Sequence, residues 1–153
     1  MSIDLRAVLP LLLPGAIAWA EACSQEAAAT GAPLTEAEAD TARQVDVQRP
    51  DLIRIAMVDK LLLPEDPLLR AAALQTGLLG PHMAGLTLGH SIFIVRGQKT
   101  SRLLSHECRH VHQYEAYGSI AAFLPPYLRQ IVEAGYENSS YELDAQAHEI
   151  RDS

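Results

Sequence analysis

Basic residues are scarce in this chain and nowhere clustered. Twelve Lys and Arg stand against nineteen Asp and Glu, for a net charge of -7 and a pI near 5.3. Without a basic patch there is no electrostatic footprint for a phosphate backbone or an anionic lipid surface, so nucleic-acid and polybasic membrane binding are not expected. Cysteine is nearly absent. Only Cys23 and Cys108 occur, which leaves no disulfide framework and suits a reducing, cytoplasmic compartment. Long apolar runs are missing too. The longest, 7–20 (AVLPLLLPGAIAWA), contains two prolines and falls below the roughly 20 residues a membrane span needs, so no span is expected. Export through this segment is the minor alternative. Ala20-Glu21-Ala22 before Cys23 imitates a cleavage site, whereas Asp4 and a single basic residue, Arg6, make a poor leader start. No internal repeat and no low-complexity linker occurs.

What is present is enough apolar content, 48% of 153 residues, for one compact domain over 1–153, with an N-terminal helical segment (1–45) loosely packed on it. The alanine-rich stretch 14–30 reads as a helix, with Pro14 in the first turn, Gly31 past the end and Trp19 as a packing residue. Thr35 and Glu38 form a T-x-x-E capping box, with Leu34 as the staple residue, for a short helix to about Arg43. The run LIRIAMV within 51–60 is β-branched and apolar, as in a largely buried strand. Asp66-Pro67 opens a helix that Gly77 ends. LTLGHSIFIV within 86–95 reads as a hairpin or a bulged strand at Gly89. Thr100 or Ser101 caps a helix over 102–117, stopped by Gly118. Another helix covers 120–134, where Pro125-Pro126 predicts a break or new start. Ser139 or Ser140 caps a last helix from about Tyr141. Strands in the middle and helices at both ends give an α+β domain.

The informative text is LLSHECRHVHQYEAYG, which contains the H-E-x-x-H match His106-Glu107-Cys108-Arg109-His110 on a predicted helix. Residues four apart share a helix face, so His106 and His110 can direct two imidazole nitrogens at one Zn2+ while Glu107 projects beside them. A metal there lowers the pKa of a water, and Glu107, as catalytic base, takes its proton. Two histidines on an ordinary amphipathic helix are the alternative, and this pattern arises rarely by composition.

A catalytic zinc needs a third protein ligand. The extended form H-E-x-x-H-x-x-G-x-x-H is absent, since Gln113 and Ala116 occupy the Gly and His positions. Downstream candidates are Glu133, Glu137, Glu142, Asp144, His148 and Glu149. Glu142 is preferred, because it sits in the first turn of a capped helix that can fold back across a full intervening helix. Asp144 and His148 are the alternatives for the ligand. Asp144 suits better an acceptor that fixes the tautomer of His106 or His110. His112 points away from His110 and reads as a surface or packing histidine. Tyr114 lies on the metal face and reads as core. Tyr136 or Tyr141 is a candidate oxyanion donor. Cys108 projects away from the two histidines and is no nucleophile. His82 and His90 fall in loop or turn positions, with His90 a candidate border of a substrate cleft.

These residues resemble the gluzincin group of zinc metallopeptidases, in which an H-E-x-x-H helix is joined by a glutamate from a later helix. More narrowly, HECRHVHQYEAYG, FLPPYL and GYENSSYELDAQA resemble small bacterial zincin-like proteins, over about 85–148. The resemblance implies a minimal zincin-like domain with a small, mostly antiparallel sheet. It also implies zinc on His106, His110 and Glu142, and Glu107 as general base. Its substrate is a peptide or protein lying extended beside the edge strand before the motif helix. Gln146 stands where well-studied gluzincins place an acidic residue four after the glutamate ligand. A non-catalytic zinc-stabilised binding or regulatory module is the competing reading, and a metal-independent helical adaptor the third. The sequence sets no oligomeric state.

Overall fold

The computed structural model describes residues 3–79 and 83–151. His82 lies outside these. The described elements run α1 (Leu5–Thr30), β1 (Ala32–Pro33), α2 (Glu36–Gln44), β2 (Arg54–Val58), α3 (Pro67–Thr76), β3 (Gly85–Leu88), β4 (Ser91–Val95), α4 (Ser101–Tyr117), α5 (Ile120–Ala134) and α6 (Ser140–Ala147). The chain is α+β.

The four strands form one mixed sheet in the order β1-β2-β4-β3. β3 and β4 are a hairpin, pairing antiparallel from Gly85↔Ile94 to Leu88↔Ser91. Gly89 takes φ +66° at its turn, a conformation that favours glycine. β1 also pairs antiparallel to β2, but the central pair, β2 with β4, is parallel from Arg54↔Ser91 to Val58↔Val95. The intervening α3 and β3 supply the crossover that a parallel pair requires. β3 is left as an edge.

Strand alternation divides the interior in two. Ile53, Ile55, Ile92 and Ile94 face one way and pack with Leu104, Cys108 and Val111 of α4 and with Ala42 and Val45 around α2. Leu88, Phe93 and, partly buried, Ala56 and Val58 face the other way, onto Ala16, Ala20 and Ala27 of α1 and Phe123, Leu124 and Ile131 of α5. The strand expected to be largely buried has Ile55 alone fully buried within its span, and Leu52 is taken into a short 3-10 turn before it.

α1 corrects two expectations. It starts nine residues before Pro14 would start it, capped by Asp4, whose Oδ1 accepts from the Ala7 N–H at 3.3 Å. Pro10 and Pro14 lie inside it. The carbonyls they orphan belong to Arg6 and Pro10, both exposed, so water can satisfy them. The helix is also no loose appendage: its alanines form one wall of a core, Ala20 being fully buried. At 26 residues with a mean hydropathy of 1.5 over its most apolar window, it is long and apolar enough to cross a membrane by length and composition, although one face is packed on the domain. The same reasoning explains α5, which runs unbroken through Pro125-Pro126 because the carbonyls freed are those of exposed Ala121 and Ala122.

Candidate metal centre

α4 carries the motif, and its start is local. Thr100 Oγ1 accepts from the Leu103 N–H at 3.1 Å and Gly118, at φ +96°, ends the helix. One face is apolar and buried in the core that α4 shares with Ile53, Ile55, Ile92 and Ile94, which holds Cys108 at 0% exposure and pushes its thiol up to about 12 through burial and the nearby Glu107 charge. The opposite face carries His106 and His110, their ring centroids 5.0 Å apart. Cys108 is therefore turned away from both imidazoles and kept protonated, as the helix period requires.

α6 packs against α4 and brings Glu142 into the same place. Its Oε1 is 3.2 Å from His106 Nε2 and its Oε2 3.0 Å from His110 Nε2. The three ligand atoms of His106, His110 and Glu142 all lie within 4.8 Å of one another, in a group that could hold a metal ion. Ser139 stands at the N-cap of α6 but makes no capping bond; its hydroxyl and that of Ser140 turn to Gln130 Oε1 instead.

The partners of the imidazoles set their tautomers. Gln113 Nε2 donates to Tyr141 O at 3.0 Å and to Asp144 Oδ2 at 2.9 Å, so its Oε1 faces His110 Nδ1 at 2.8 Å and accepts. His106 Nδ1 donates to Glu149 Oε2 at 2.8 Å. Both Nδ1 atoms thus carry hydrogen and both Nε2 lone pairs point at the Glu142 carboxylate. Two lone pairs and an anion at 3.0–3.2 Å repel unless positive charge lies among them, either extra protons or a metal ion. The donor set therefore fits a divalent metal.

The electrostatics agree. Burial disfavours charge on His106, but Glu142, Glu107 and Glu149 outweigh it and raise its pKa to about 9. His110 is raised by the same balance of burial against Glu142 and Glu107. Glu142, although burial pushes it up, is held well below the carboxylate range by His106, His110 and a hydrogen bond from Tyr127 Oη at 2.7 Å.

Glu107, one residue after His106, is 5% exposed. Thr87 Oγ1 on the edge strand lies 2.8 Å from its Oε1 and 3.0 Å from its carbonyl oxygen. Gly85, two residues back on the same strand face, leaves the room the carboxylate needs, since a Cβ there would sit 3.1 Å from Oε2.

Asp144 stands outside this group. It pairs with Arg109, Nε to Oδ2 at 2.8 Å, and braces Gln113, so it reaches His110 at one remove. His148 is likewise outside it, its Nδ1 being 2.8 Å from Asp144 O. The carboxylate behind His106 is Glu149, seven residues past Glu142, which also takes Arg102 Nε at 2.8 Å. His90 does not border the centre. It meets Glu115, which also accepts the Gln48 and Arg49 N–H groups and so ties the loop after α2 to α4. His112 reaches Asp46 O and is structural. The hydroxyls of Tyr141 and Tyr117 lie 2.6 Å apart, while Tyr136 faces Glu142 and Glu107, burial and these carboxylates raising its pKa. Sequence reasoning missed the bracing roles of Tyr127 and Gln113. The i,i+3 spacing of Gln113 from His110 was an available signal; Tyr127 offered none, being one residue of an amphipathic stripe. No family model, curated protein or solved structure matches the chain.

Proposed function

We propose that this protein is a zinc-dependent hydrolase of peptide bonds, built on a zincin-like arrangement of an edge strand, an H-E-x-x-H helix and a later helix carrying a glutamate. The observation that carries the reading is the convergence of His106 Nε2, His110 Nε2 and Glu142 within 4.8 Å of one another, with Glu107 on the same helix. Ligand atoms around a tetrahedral zinc with bonds of ~2.0–2.1 Å are roughly 3.3 Å apart, close to the 3.0 and 3.2 Å found between the imidazoles and the carboxylate. Three protein ligands leave a fourth position for substrate or water, as catalytic zinc sites do.

Bound zinc would supply a Lewis acid that polarises a carbonyl and acidifies water. The side chains do the rest. Glu149 and Gln113 hold the imidazoles by their Nδ1–H groups, and Tyr127 holds Glu142. Glu107, steadied at Oε1 by Thr87, accepts the proton of the attacking water and returns it to the leaving amine. Tyr136, which faces Glu142 and Glu107, is the phenol that would donate to the developing oxyanion. The free edge of β3 offers main-chain groups to an extended peptide.

The test is metal analysis of the native protein and of Glu107→Gln, with a peptide-library digest of each. Zinc near one equivalent in both, with cleavage by the native protein alone, is expected. Zinc in both and cleavage by neither would instead favour a zinc-stabilised binding module, and absence of zinc would sink the reading.

A further inference from the structure

Glu107, His110 and Glu142 are also part of the wall of a partly open cavity of about 100 Å³. Its remaining wall is predominantly aliphatic and comes from α1, α3, α5 and the edge strand β3, with Ala16 of α1, Ala72 of α3 and Ile131 of α5 among the residues bounding it. All three are less than 9% exposed. A largely apolar space beside charged groups is costly to leave unfilled, because its lining forfeits dispersion contacts and its aliphatic part cannot hydrogen-bond water.

We propose that this cavity is the recognition pocket for one aliphatic side chain of the substrate, adjacent to the bond that is broken, and that it selects leucine, isoleucine or methionine. The inference rests on the hydrolase reading above and adds to it the substrate class. Volume decides the size. A cavity of ~150 Å³ accommodates benzene, six heavy atoms, so about 100 Å³ takes roughly four, the number in each of those three side chains. A phenylalanine side chain is too large, and alanine leaves the space empty. The alanines make the pocket: a longer side chain at Ala16 or Ala72 would occupy the volume itself.

The experiment measures binding, not turnover. The zinc-loaded protein is titrated with straight-chain hydroxamic acids from acetohydroxamate to decanohydroxamate, the head group reporting the metal and the tail the cavity. Affinity is expected to rise about fourfold per added methylene, as for apolar burial at ~0.8 kcal/mol each, and to level off beyond pentanohydroxamate. In Ala72→Leu the rise should vanish while acetohydroxamate affinity and zinc content stay unchanged; Ala16→Leu is the second such variant, and the native series decides the matter should either fail to fold. If acetohydroxamate binds but chain length has no effect, or affinity climbs steadily through ten carbons, the pocket is overturned and the metal centre stands. Failure of acetohydroxamate itself to bind overturns the metal reading, and the pocket with it.

Discussion

Raising the pH of the metal-free protein from 6.5 to 9 should remove the charge that holds the candidate metal centre together. His106 is shifted from its ordinary 6.5 to about 9 by Glu142, Glu107 and Glu149 against the opposing effect of burial, and its side chain is only 13% exposed. A folded-state pKa above the unfolded one means that this stabilisation is complete below about 6.5 and is lost as pH rises through about 9. At ~1.36 kcal/mol per tenfold change in proton affinity, the loss is about 3 kcal/mol. His110, raised for the same reasons, adds to it in the same direction. For a domain of this size that corresponds to a fall in Tm of about 6–12 °C. The metal-loaded protein has no such loss, since the ion replaces the protons and binds more tightly as they leave. Thermal unfolding with chelator and with zinc, at half-unit steps from pH 6 to 9.5, should therefore show a gap that widens with pH. Glu142, held below the carboxylate range, contributes stability present above its ordinary 4.5 and lost as pH falls through the lowered value. The metal-free plateau should accordingly extend into acid. A gap that stays constant or narrows between pH 6.5 and 9 would refute the assignment of charge to the imidazoles.

Further expectations follow from single contacts. Glu142→Gln, which keeps the shape but removes the anion from between His106 and His110, should weaken zinc binding by more than the ~10–100-fold typical of outer partners. Glu149→Gln and Gln113→Leu should each fall within that range, measured by competition with a chelating dye; no change in either would mean that the imidazoles are not oriented from Nδ1. Gly85→Ala places a Cβ 3.1 Å from Glu107 Oε2 and should leave zinc content intact while lowering kcat about tenfold or more, the carboxylate having been displaced; unaltered kcat would detach Glu107 from the reaction. Cys108, buried and with its thiol raised to about 12, should resist thiol reagents in the folded protein and react on unfolding, as followed by mass spectrometry.

How much of this was legible beforehand differs by element. The caps at Thr35, Asp66 and Thr100 and the stops at Gly77 and Gly118 are written within a few residues, and the structure has them where they were expected. The prolines misled. Their cost depends on whether the orphaned carbonyl meets water, which is a property of burial, and in α1 and α5 those carbonyls are exposed. The parallel pairing of β2 with β4 was likewise unreadable, because a strand does not encode which neighbour lies beside it.

The same division runs through the site. That His106 and His110 share one helix face, that Glu107 follows on it and that Cys108 turns into the core are consequences of a 3.6-residue period, and the sequence determines them alone. Which residue completes the group was a choice among six, five carboxylates and His148, until α6 folded onto α4. The bracing by Tyr127, Gln113 and Glu149, the room at Gly85 and the cavity walled by α1, α3, α5 and β3 exist only where distant segments meet. Helix geometry is local and repeats with the chain, whereas a third ligand and a pocket are distances between elements, and only packing sets those.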